Sequence, residues 1–364
     1  MSHLPQSYTP VAPYETPRRA RRTFRVPPGF LLLIPLVLFA FLFFGVSYLV
    51  TPEPDVEVHP EVGAVSLDGR EVLLVPYDRH GARGMFQLMA KDMFQVRVAA
   101  ADAVTGEVLW DKQLSDELIW EADVLAAGTR YAYLATDDGL IVLDLRDGSI
   151  VARGDGVAGL GGSFVAKPAA YGYDPEGRRV LAMNADGAVL EIPLDSTTAT
   201  PVDEATTAKW AKSLSVTRSK STPSATATKA ELSPGARVEL RERPSGSLLV
   251  LVGENGQETP LGTTVFHGAH VVVNGKAAAG ASSGYVLVEH SRSVNDKEDV
   301  LSAISLDSGA VVGSLTTDSA PERAVTLPSG ATVVATHGQV VVVAADGKIT
   351  ALPVGSTDFF GSPS

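Results

Sequence analysis

An all-β domain carried by one N-terminal transmembrane helix is the fold predicted by this 364-residue sequence. Three observations predict it. An uncharged apolar run fills residues 26–52, short β-branched segments alternate with Asp-Gly and Asn-Gly turns, and two of these units repeat 42 residues apart. The composition excludes several alternatives. With no cysteine, the chain is not a disulfide scaffold, a thiolate metal site, a cysteine-nucleophile enzyme or a lipid-acylated lipoprotein. A net charge of −12 argues against nucleic-acid binding, which needs a basic surface to neutralise phosphates.

The apolar run comes first. Sixteen of the 21 residues over 30–50 are Leu, Ile, Val or Phe, and about 20 apolar residues span the hydrocarbon core as a helix. Arg18, Arg19, Arg21, Arg22 and Arg25 precede it, whereas Glu53, Asp55 and Glu57 follow. The positive-inside rule therefore predicts a cytoplasmic Arg-rich tail over 1–25, a transmembrane signal anchor over 26–50 and everything later on the extracytoplasmic side. The long apolar stretch and the lack of an Ala-x-Ala site near Thr51 argue against cleavage. Arg21-Arg22 resembles a twin-arginine export signal, but the hydrophobic stretch is too apolar for that route. Beyond residue 52 the chain carries 25 basic and 41 acidic groups, which favours cationic partners and disfavours anionic lipid.

After a linker over 51–59, strands are expected at 71–77, 95–101, 131–135, 140–143, 179–183, 188–192, 247–252, 270–273, 285–289, 301–306, 332–336 and 340–343. Asp68-Gly69, Asp138-Gly139, Asp186-Gly187, Asn255-Gly256, Asn274-Gly275 and Asp346-Gly347 accept the positive φ of two-residue hairpins. Thr200-Pro201 followed by acids, with Val202, Thr206, Trp210 and Leu214 on one face, predicts a helix over 201–214. Small polar residues over 219–228 predict a surface loop. Together these form an insertion at 196–235, and a tail occupies 356–364.

The repeat sets the architecture. Asp102-Ala103-Val104-Thr105-Gly106 and Asp144-Leu145-Arg146-Asp147-Gly148 each precede an apolar strand, with Trp110 replaced by Ala152. Units of about 40–50 residues with four strands each are the mark of a β-propeller, whose blades cover one another's apolar faces. Residues 60–355 hold about six or seven such blades.

Ala100-x-Asp102-x-x-Thr105-Gly106-x-x-x-Trp110 resembles the tryptophan-docking motif of quinoprotein-like (PQQ-type repeat) β-propellers. The resemblance is clear over about 60–195 and faint beyond Ala230. It implies that Ala100 and Trp110 pack between blades while Asp102, Thr105 and Gly106 shape the turn. On that role, Trp110→Ala is expected to cost about 3–5 kcal/mol. The chain is also similar to a group of uncharacterised bacterial membrane-anchored envelope proteins built on such a propeller, a likeness that supplies no activity.

Other motifs read as structural. Gly154-x-Gly156-x-x-Gly159 leads into a strand and not the helix a dinucleotide fingerprint requires, and Gly280-x-Ser282-x-Gly284 precedes a strand where a nucleophile elbow needs a helix. His267 and His270, at i and i+3 of a strand, point to opposite faces. Met85, Phe86 and Met89 form a candidate partner-contact surface, because methionines repack against varied partners. Trp120, among Asp116, Glu117, Glu121 and Asp123, is a candidate π face for a cation.

No catalytic, cofactor-binding or metal-ligating residue is assigned. The expected function is a non-enzymatic binding or scaffold protein of the bacterial envelope, with an envelope protein, glycan or small molecule as partner. The alternative implied by the resemblance is a quinoprotein-type dehydrogenase using PQQ and calcium.

Overall fold

The structure, a computed structural model, describes residues 28–118, 120–216, 224–296 and 298–361. The arginine tail and part of the expected 219–228 loop lie outside them. The apolar run forms one helix, α-helical over Pro28–Ala40, π-helical over Phe41–Val46 and α-helical again over Ser47–Val50. It is long and apolar enough to cross a membrane.

The rest is almost entirely antiparallel sheet. In chain order there is a five-stranded sheet over 55–115, four-stranded sheets over 122–153 and 171–201, a nine-stranded sheet over 226–317 and a four-stranded sheet over 323–352. The continuous apolar runs follow from burial on both faces, where alternate side chains enter different cores. Val72 and Leu74 pack with Leu134, Ile141 and Leu143 of the second sheet. Their neighbours Leu73, Val75 and Tyr77 pack with Val333, Ala335 and Val340 of the last. The second sheet likewise turns Tyr133 and Val142 toward Val180 and Ile192 of the third. The last sheet presents Val334 and Val341 to Leu287 and Leu301 of the nine-stranded one. At about 1.5–3 kcal/mol per buried Val or Leu, these shared cores are the main force holding sheet to sheet. Because the first and last sheets share a core, the two ends of the β-domain meet, which is one of the seams a propeller has.

Several expectations are corrected. The expected linker over 51–59 contains a strand, Asp55–Val58, which pairs with residues 77–80 and belongs to the first sheet. The insertion helix is shorter, Glu204–Trp210. Asp203 is its cap, accepting from the Thr206 N–H at 2.8 Å, so Thr200–Pro201 is free to pair as a strand with Leu190 and Glu191. Trp210 and Leu214 then cover Leu181, Met183 and Val189 on the face of the third sheet that points away from the second. Of the hairpins, Asp68-Gly69 is a two-residue turn with both φ angles positive. At Asp186-Gly187, Asn255-Gly256 and Asp346-Gly347 the flanking strands stop pairing earlier, giving five-residue loops. The nine-stranded sheet departs from four-stranded units because one 17-residue strand, Glu258–Asn274, pairs with residues 247–252 in its first half and with Tyr285–Ser291 in its second.

Candidate functional site

The 11-residue strand Arg70–His80 runs past its hairpin partner Gly63–Leu67, and its end pairs with Asp55–Val58. Alternation puts Glu57, His59, Asp78 and His80 on one side. With Trp120, Glu121, Asp123, Glu322 and His337 they line a pocket of about 420 Å³ between the first, second and last sheets. His59 is its best-fixed group. Nε2 lies 3.0 Å from Asp78 Oδ1, and Nδ1 lies 3.1 Å from the Ala122 carbonyl oxygen. Burial opposes the imidazolium, but the Asp78 carboxylate, the Ala122 carbonyl and Asp123 outweigh it and raise the His59 pKa. His337 Nε2 lies 3.6 Å from Glu57 Oε1. Sequence reasoning missed this group because its members come from five separate stretches, and no local spacing marks them.

Trp120, a candidate π face for a cation pocket, is 2% exposed and packs with Val98, Leu114 and Leu134. The indole joins the core between two sheets and also lines the pocket with Glu121 and Asp123, while Asp116 and Glu117 face outward.

A second cavity, about 650 Å³, lies among the strands Gly63–Leu67, Ala122–Ala127, Tyr171–Asp174 and Arg323–Thr326. PQQ with calcium, the cofactor pair of the dehydrogenase alternative, would need such a space. Calcium takes about six to eight oxygen ligands, usually several carboxylates. Glu61 is the one carboxylate lining this cavity, and Arg323 lies 3.7 Å from it. The residues present do not fit that donor set. Among the described residues no group of three or more His, Asp or Glu side chains is placed to hold a metal ion. The Gly280–Gly284 motif forms a single 3-10 turn, Ala281–Ser283, and the Ser283 hydroxyl donates to the Gly330 carbonyl at 2.7 Å.

The methionine-rich stretch is a short helix, Gly84–Ala90, packed on the end of the apolar N-terminal helix. The Phe86 ring meets Phe44 edge-on at 6.2 Å and stacks on Phe359 at 5.5 Å. The Met85 N–H donates to the Ser47 hydroxyl at 3.0 Å. Tyr48 packs against Phe359 and carries the Arg83 guanidinium over its ring at 4.4 Å. Gly84 makes this approach feasible: its φ is +77°, and a Cβ there would lie 2.7 Å from the Tyr48 Cα. Arg79, 1% exposed, donates to Gln87 at 2.9 Å and to Thr357 at 3.0 Å, binding sheet, short helix and C-terminal segment together. The Phe86 ring thus faces the chain's own helix, and Met89 is 72% exposed.

The motif around Trp110 lies at the seam between the first two sheets. Ala100 is fully buried there. Asp102 accepts from the Val104 and Thr105 N–H groups at 2.9 and 2.8 Å, and Gly106 adopts φ +74°. The Thr105 N–H holds the Asp102 carboxyl below the usual range. The Trp110 indole donates to the Leu145 carbonyl at 2.7 Å and lies over Gly148, where a Cβ would come within 2.5 Å of the ring.

No protein family matches this chain, and no curated protein does. Among solved structures it is similar to BamB from Moraxella catarrhalis, with 13% identity over 79% of this chain and 83% of BamB and a TM-score of 0.26. TolB from Acinetobacter baumannii gives 13%, 77%, 62% and 0.27 for the same quantities. A quinoprotein alcohol dehydrogenase-like protein from Bacteroides thetaiotaomicron gives 13%, 80%, 65% and 0.25. All three are β-propeller proteins. At TM-scores this low, the fold rests on the sheet packing above and not on these likenesses.

Proposed function

We propose that this protein is a single-pass, membrane-anchored β-propeller of the bacterial envelope, acting as a non-enzymatic scaffold with its N-terminus in the cytoplasm. Splitting the nine-stranded sheet where Glu258–Asn274 changes partners gives six blades. The observation that carries the reading is the docking of the apolar helix onto the β-domain through Ser47, Tyr48, Phe86 and Phe359. A helix joined by a free linker would merely tether the domain. A docked helix holds it at a set place on the membrane, which is what a platform for partners needs.

The pocket lined by Glu57, Asp78, Glu121, Asp123 and Glu322 suits a partner segment bearing Lys or Arg, in keeping with the acidic balance beyond the anchor. Tetralysine serves as the probe, titrated calorimetrically against the full chain in phosphatidylcholine nanodiscs. Salt-sensitive binding that Glu121→Gln with Glu322→Gln weakens supports the pocket, and indifference to the double variant removes it. Topology is read separately with Val294→Cys, an exposed site in an otherwise cysteine-free chain. An impermeant maleimide labels it in intact spheroplasts on this reading; protection until lysis reverses the orientation. Native mass spectrometry with added PQQ and calcium returns the bare polypeptide mass, whereas a retained adduct transfers the case to a dehydrogenase.

A further inference from the structure

We infer that the short helix Gly84–Ala90 and residues 357–361 form a collar whose outer face sits in the interfacial layer of the bilayer, so that the β-domain rests on lipid as well as hanging from its anchor. The inference deepens the proposed function and rests on its spanning helix. The apolar window of the helix ends at Val50, and the first charged residue after it is Glu53. The far edge of the hydrocarbon core therefore falls along the last turns of the helix, which hold Phe44, Ser47 and Tyr48, the residues the collar grips. The collar is thus placed at headgroup depth by its own contacts.

Its chemistry suits that depth. Phe86, Phe359 and Phe360 form a mutually packed aromatic group with Phe44 and Tyr48; Tyr gathers at membrane interfaces, and Phe with Leu makes the buried face of segments that lie in them. From this group large apolar side chains project outward: Leu88 is 46% exposed, Met89 72% and Phe360 57%. Leu88 and Met89 share a face with Met85 at i, i+3 and i+4. In water that patch would be a cost; beside the exit point of the helix it is covered by lipid. The patch is apolar and the domain acidic, so the contact does not depend on anionic lipid.

The test uses the full chain in nanodiscs, made once with phosphatidylcholine and once with added phosphatidylglycerol. A nitroxide is attached at single cysteines replacing Leu38, Met89, Phe360 or Val294, and collision with oxygen is compared with collision with a water-soluble nickel chelate. The expected oxygen-to-nickel ratio is highest at Leu38, lowest at Val294 and between the two at Met89 and Phe360, in both lipids. If Met89 and Phe360 match Val294 while Leu38 stays high, the collar is refuted and the anchor stands. If Leu38 also matches Val294, the spanning helix fails and the collar with it. A rise at Met89 only with phosphatidylglycerol present would also overturn the inference, since it would make the contact electrostatic. Leu88→Glu with Met89→Glu gives a second readout: the melting temperature stays put, and the ratio at Phe360→Cys falls toward that of Val294.

Discussion

Two neighbouring seams of the β-domain are closed by different chemistry. Between the first and second sheets, Trp110 lies over the Gly148 turn and donates to Leu145. Between the second and third, the position equivalent to Trp110 is Ala152, which only fills core space. The clip there is Asp195, whose carboxylate accepts from the Thr129 N–H and hydroxyl and from the Arg130 and Tyr131 N–H groups at 2.7–3.1 Å. Burial works against that charge, but the four donors outweigh it and hold the Asp195 carboxyl below its ordinary range. The comparison teaches that a repeat conserves the need to join sheets without conserving the means. An aromatic clip acts through contact area and is indifferent to pH, whereas a carboxylate clip acts only while ionised.

The largest expected effect breaks the aromatic seam. Trp110 is half-buried, so Trp110→Ala should cost about 2–3 kcal/mol, below the figure for a fully buried indole, seen as a lowered Tm in thermal melts. An unchanged Tm would remove Trp110 from the seam. Gly148→Ala sharpens the same point. Alone it suffers both a positive φ and a clash with the indole; in the Trp110→Ala background only the φ penalty remains, so the two costs should be less than additive.

The carboxylate seam is expected to yield less. Asp195→Ala should cost about 1–2 kcal/mol near neutral pH, the worth of charge-assisted hydrogen bonds at a partly exposed site. The Asp195 pKa is lowered on folding, so its contribution is complete above the ordinary Asp range and is lost as pH falls through the folded value. Melts from about pH 6 to 2 should therefore bring wild type and Asp195→Ala together, while the gap to Trp110→Ala persists. Convergence of both variants, or of neither, would erase the distinction between the seams.

The smallest effect lies at the pocket on the edge of the first sheet. His59 has a raised pKa, so its contribution is full below its unfolded value and fades as pH rises through the folded one. Between about pH 5 and 8 wild type should lose more stability than His59→Gln. Parallel profiles would mean that the Asp78 contact leaves folding unaffected by His59 titration.

The apolar N-terminal helix, the β character and most strands were legible in the sequence because each is a local pattern: composition over 20 residues, or alternation over five. The turn Asp102–Gly106 was legible for the same reason, since its hydrogen bonds close within four residues. The lost detail is non-local. Asp55–Val58 reads as a linker until residues 77–80 offer it a partner. Trp120 reads as a candidate cation face among acids, and its contacts with Val98 and Leu134 arise only when the sheets pack. Nothing near residue 86 announces Phe44 or Phe359, and nothing near Asp195 announces Thr129. Local order follows from neighbours along the chain and is written there. Which apolar face meets which, and which carboxylate meets which N–H, depends on contacts between residues tens to hundreds of positions apart, and those were decided only when the sheets closed on one another.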